Sequence, residues 1–165
     1  MGDSVDMHWG NVEVQWGAVP TVIIDVITVL SRQARRSSDH VGRLVWPDAP
    51  GDVQDQLRMA IGDAHKISKA GTDLRAVLSA YAHKFHNPRP VISELARAQG
   101  TSSQGFIRRY SEATLTAVEN LLSATPDIGA IREGIPSLSL IDLSELGGPV
   151  GKAASELLAA DSVQG

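Results

Sequence analysis

The sequence predicts a mainly α-helical fold with a minor β element near the N-terminus and a C-terminal extension. Three observations carry that prediction. Leu74, Val77, Leu78, Tyr81, Ala82 and Phe85 fall at i, i+3, i+4, i+7, i+8 and i+11, the stripe of an amphipathic helix. Residues 11–16 (Asn-Val-Glu-Val-Gln-Trp) alternate polar and apolar, the period of a half-buried strand. From Thr125 onward glycine, proline and serine recur, punctuating short apolar patches.

The elements follow in order. Pro20 opens a helix over 21–36, taking its first position. The β-branched run Val22-Ile23-Ile24 favours a strand there, but the length of the segment favours a helix. Leu44-Val45-Trp46 reads as a short strand, and Pro47-Asp48-Ala49-Pro50-Gly51 as a turn. Asp52 is positioned to cap a helix over 53–70 that stops at Gly71, and Thr72 to cap a second over 73–85. Asn87-Pro88-Arg89-Pro90 ends it, since neither proline can donate to a helix ladder. A short helix over 91–98 has Ile92, Leu95 and Ala96 on one side, and Gln99-Gly100-Thr101-Ser102 breaks it. Residues 103–110 form another, and Ser111 caps a third to about Leu122, with Leu115, Val118, Leu121 and Leu122 inward. Apolar patches persist at 138–143 and 153–158.

Composition bounds the function. The 165 residues include no cysteine, which removes disulfides, zinc–thiolate sites and thiol nucleophiles. No apolar run reaches the length of a membrane span, and the acidic start lacks the basic region of a signal peptide, so a cytoplasmic, nucleoid-associated protein is expected. The net charge of −4 is unevenly spread. Residues 84–110 hold Lys84, Arg89, Arg97, Arg108 and Arg109 against Glu94 alone, while residues 111–165 hold two bases and eight acids. The middle of the chain is therefore where a polyanion would sit. Aromatics divide similarly, with Trp9, Trp16 and Trp46 in the first third and Tyr81, Phe85, Phe106 and Tyr110 in the middle. Two small cores built on these sets are expected, with the last forty residues as an appendage.

No Gly-x-Ser-x-Gly elbow, phosphate-binding loop, dinucleotide fingerprint or His-Glu-x-x-His occurs, so no enzyme, cofactor or metal site is expected. His83 and His86 are three apart but lack further ligands and read as ordinary histidines near a helix end. Arg32, Arg35 and Arg36 read as cations in a last helical turn, with a second phosphate patch as the alternative.

The stretch from Ile92 to Tyr110 resembles the helix-turn-helix motif of bacterial DNA-binding proteins, of the transcriptional-regulator or phage and plasmid control type. Ala96 supplies the small residue where two helices cross, and Gly100 the turn position with φ > 0. Leu95 and Phe106 fall where the motif buries apolar residues, and Ser102 can cap the second helix and meet a phosphate there. Helical geometry clusters Phe106, Ile107 and Tyr110 on one face and Gln104, Gly105 and Arg108 on the other. Glutamine pairs with adenine and arginine with guanine, and Gly105 removes bulk from the approaching surface. Arg89, Arg97 and Arg109 then meet phosphates, with Thr101, Ser102 and Ser103 beside them. The chain departs from the family pattern at Gln99 and Arg109, where apolar side chains are usual, and at Thr101, commonly a valine. Ile107 and Tyr110 are the neighbouring apolar replacements.

The resulting expectation has three parts: an assembly or effector region over 1–50, a helix-turn-helix DNA-binding domain over 51–124, and an acidic extension over 125–165. The extension is expected to repel DNA or compete for the basic face. The expected function is sequence-specific binding of double-stranded DNA by a homodimer on paired half-sites, as a transcriptional regulator such as a repressor. The alternatives are a purely structural helical hairpin, a non-enzymatic protein–protein assembly module, or a DNA-binding packaging, replication or partition protein. A further protein partner is allowed through the N-terminal region or the extension, and no membrane is involved.

Overall fold

The computed structural model describes residues 6–9, 12–15, 17–48 and 53–164, and the chain there is mainly helical. Strands β1 (Asp6–Trp9) and β2 (Val12–Gln15) pair antiparallel, with Asp6 opposite Gln15 and Trp9 opposite Val12. Trp16, the Trp9 side chain, most of the expected turn after Asp48 and the expected cap Asp52 lie outside the described residues.

Helix α1 (Thr21–Gly42) begins at Thr21 as expected, with Pro20 just outside it, and ends six residues further on. Pro20 is its N-cap, with extended backbone (φ −57°, ψ 145°), and its carbonyl accepts from the Ile23 and Ile24 amides. The β-branched run is helical because Ile23, Val26 and Leu30 bury one stripe, and packing overrides weak propensity. Residues 44–46 form no strand; Trp46 is 47 % exposed and fills no core.

Helix α2 (Gln54–Lys84) is one helix of 31 residues where two are expected. Gly71 keeps a negative φ, and a mid-helix glycine costs only about 1 kcal/mol, less than the packing of Ala70, Val77 and Ala80 contributes on either side. Helix α2 lies along α1, and Asp63, buried on α2, is bonded by His40 Nδ1 from α1.

Five short helices and one longer one follow: α3 (Ile92–Ala98), α4 (Ser103–Ile107), α5 (Glu112–Leu121), α6 (Ile128–Gly134), α7 (Leu140–Ser144) and α8 (Gly148–Gln164). Ser111, Asp127 and Ser139 cap α5, α6 and α7 by accepting from amides three residues on, and Ser139 with Asp142 completes a capping box. Helices α5 and α6 pack so closely that a Cβ on Gly134 would stand 2.1 Å from the Ala113 carbonyl oxygen.

Among the described residues the core is one mainly aliphatic cluster, joined by Tyr81 with Phe85 and Tyr110 at its edge; Trp46 takes no part in it, and the Trp9 and Trp16 side chains lie outside those residues. Ile23, Val26 and Leu30 of α1 meet Val77 and Tyr81 of α2, Val118 and Leu121 of α5, and Ile128, Ile131, Ile135, Leu138, Leu143, Leu146 and Val150 further on. The expectation of an appended, loosely packed extension after residue 125 is therefore corrected. Its short apolar patches are successive contributions to a shared core. Polar latches hold it in place: Gln33 Nε2 donates to the Ser137 carbonyl (2.9 Å) and to Asp142 Oδ2 (3.1 Å), and the Ser137 amide donates to Asp73 Oδ2 (2.9 Å). Among the described residues no helix is long and apolar enough to cross a membrane.

Candidate nucleic-acid interface

Helices α3 and α4 stand apart from the central cluster and pack on α2 through α4. Their joint is closed by the backbone. The Gly100 amide donates to the Arg97 carbonyl (3.0 Å) and the Thr101 amide to the Ala96 carbonyl (2.9 Å), the paired bonds of a Schellman turn. Gly100 takes φ +67°, which a residue with a Cβ adopts only with strain. Ser102 then reverses the chain into α4, its hydroxyl accepting from the Gly105 amide at 3.1 Å.

Ala96 and Phe106 are buried at the crossing and Leu95 is half-buried. Gln104 and Arg108, one turn apart, are exposed; Ser102, Ser103 and Arg97 are exposed along one concavity, and Arg89 and Arg109 are exposed as well. Thr101 is half-buried against Gly105, where a Cβ would meet its Oγ1 at 2.0 Å. The missing side chain at 105 thus makes room for Thr101 within the motif, not for an approaching surface. A concavity of about 460 Å³ lies along the joint, lined by Ser93, Ala96, Arg97, Gly100 and the hydroxyl-bearing residues 101–103.

Helix α4 is shorter than expected. It ends at Ile107, Arg108 is its C-cap, and the Arg109 amide turns back to the Phe106 carbonyl. The stop follows from what comes next: Ser111 must be extended to cap α5, and the Tyr110 hydroxyl is bonded to His83 Nδ1 on α2. Ile107, expected to join Phe106 inside, is 43 % exposed. Gln99 occupies a position that usually holds an apolar residue. It is half-buried, and its Nε2 donates to Oγ of the buried Ser79 at 2.7 Å.

The sequence reading missed the bond that ties the end of this unit to α2, where Tyr110 OH meets His83 Nδ1, and the neighbouring one that closes the end of α2 on itself, where Tyr81 OH meets His86 Nδ1 at 2.8 Å. Burial pushes the Tyr81 hydroxyl up to about 12 and raises Tyr110 as well. His83 is lowered from the ordinary imidazole value, first by burial and then by the charges of Lys84 and Arg89. The lowering favours a neutral His83, and its Nδ1 is hydrogen-bonded to the Tyr110 hydroxyl. The available signal was the pairing of two tyrosines with two histidines in a chain that holds only two of the former. Among the described residues no group of three or more His, Cys, Asp or Glu side chains is arranged to hold a metal ion.

Comparison of the chain with protein-family models, with curated proteins and with solved structures finds no match.

Proposed function

We propose that this chain binds double-stranded DNA sequence-specifically, as a homodimeric transcriptional regulator that works by equilibrium binding without chemistry. The observation that carries the reading is the outward ridge of Gln104 and Arg108 above the buried Phe106. Those two side chains read base edges in the major groove. Arg97, Arg109, Arg89, Ser102 and Ser103 hold the backbone, with Arg97 beside the hydroxyl-lined concavity suited to a phosphate. The excess of five bases over one acid in residues 84–110 supports the same surface. Helix α4 spans about 7.5 Å and offers two reading side chains, too few for one copy to select a site. Paired half-sites about one helical turn apart supply the rest.

The test is a selection on random duplex DNA at near-physiological salt, followed by two variants. Arg108→Ala should cost about 1–3 kcal/mol on the enriched site and relax its sequence preference, while Arg109→Ala should weaken all sequences alike. Failure to enrich any sequence, together with indifference to DNA in dilute buffer, ends the reading. Exposed Ile107 favours a second one, in which the same helices grip a protein partner. Salt separates them, because phosphate contacts weaken by about 0.9 log units per contact per log unit of salt and apolar contacts do not.

A further inference from the structure

Helix α2 is longer than the core requires. Among the described residues no hydrophobic side chain between 31 and 73 belongs to the central cluster or packs on it. In this distal part α2 turns Asp63 and Ala70 inward, with Ile67 half-buried between them. About 100° around the helix runs a second line, Leu57, Ile61, Ala64, Ser68 and Gly71. The spacing is four, three, four, three, the a/d repeat of a helix seam. Every member is exposed, Leu57 by 46 % and Ile61 by 68 %, and none is ionisable. Gly71, like Gly62 off this line, has open space beside it: a Cβ there meets nothing within 4 Å.

We infer that this seam is where two copies of the chain join, α2 against α2, antiparallel, with Ala64 at the two-fold axis. The occupant follows from the sequence of sizes. Large residues lie toward the distal end and small ones toward the core, and residue 64 is midway between 57 and 71. Reversing one copy over the other seats Leu57 on Gly71 and Ile61 near Ser68, knob to hollow, and the same contact repeats by symmetry. A parallel pair stacks Leu57 on Leu57 and leaves a void at the glycines. The seam is about 21 Å long. Pairing along it covers on the order of 500 Å² per copy, about 1,000 Å² together, the size at which an interface becomes specific. Arg58, held by Asp55 at 3.0 Å, comes beside Lys69 of the other copy, so association holds or strengthens as salt rises. This rests on the homodimer of the reading above, but not on DNA.

The test uses the full chain without nucleic acid, by sedimentation at micromolar concentration. The mass should be that of two copies and should persist in high salt. Ile61→Glu and Gly71→Leu should each reduce it to one copy with the helical circular dichroism unchanged, and Gly62→Ala, off the seam, should leave it alone. Because the chain has no cysteine, Ala64→Cys should yield an oxidised covalent dimer, whereas Leu57→Cys, about 20 Å from its mate, should not. A monomer at every concentration, a dimer indifferent to both seam variants, or efficient bridging through Leu57→Cys overturns the inference. A chain that pairs but ignores DNA keeps this interface and loses the DNA reading; a monomer that selects a DNA sequence does the reverse.

Discussion

Residues 92–110 and residues 128–154 make opposite use of the same kind of material. Both are strings of short helices joined by glycine- and serine-bearing turns. The first is basic, reaches the central cluster only through the half-buried Tyr110 at its end, and fully buries only Ala96 and Phe106. The second is acidic and lacks aromatics, yet it supplies Ile128, Ile131, Ile135, Leu138, Leu143, Leu146, Val150 and Ala154 to the core. Burial in a chain this poor in aromatics is carried by branched aliphatics. Position relative to α1 and α2 decides which string becomes interior and which is left presenting charge.

That contrast can be broken at the core first. Removing residues 125–165 should abolish cooperative unfolding, read by circular dichroism, because nearly half the core goes with them. For the same reason such a deletion cannot test whether the acidic segment repels DNA. A milder version, Ile131→Ala, should cost about 2–5 kcal/mol in chemical denaturation. Retention of the wild-type midpoint would show that α6 is not interior.

In the basic string, Ala96→Leu should overpack the α3–α4 crossing and cost about 1–3 kcal/mol, seen as lost amide protection in α3 and α4 before any loss in α1. Uniform loss of protection would mean that the two regions are one cooperative unit. Gly105→Ala should disturb the same joint by less, since the Thr101 side chain can move, and Thr101→Ala should relieve it. Additive destabilisation by the pair would show that the two positions do not touch.

The smallest effect is that of pH. His83 is lowered in the folded chain, so the unfolded chain takes up its proton first. The stability this neutral histidine contributes is complete above the unfolded value of about 6.5 and is lost as pH falls through the folded value. The melting temperature should therefore decline on acidification below that point, and His83→Gln should flatten the decline. An unchanged profile would detach His83 from the Tyr110 bond.

Local grammar was legible, and long-range packing was not. Gly100 and the Ser102 cap could be read because each acts within four residues of itself. The break at Gly71 failed because glycine alone does not stop a helix held on both sides. Trp46 misled because size was taken for burial; nothing near it in the sequence says that Val45 and Trp46 face solvent. The last third read as an appendage because helices of five and seven residues are too short to show a period. The Ser139–Asp142 box was nonetheless written plainly enough to mark α7.

The bonds from Gln33 span 104 and 109 positions of the chain. Closing loops that long is entropically costly and slow, so folding of this small helical protein should lag behind that of bundles built from neighbouring hairpins. During synthesis α1 leaves the ribosome with Ile23, Val26 and Leu30 uncovered; α2 and α5 can cover them only in part, and the cover is not complete until the partners near residue 150 have been made. The same latch that completes the native state thus leaves the nascent chain with a sticky first helix, a natural client for a holding chaperone.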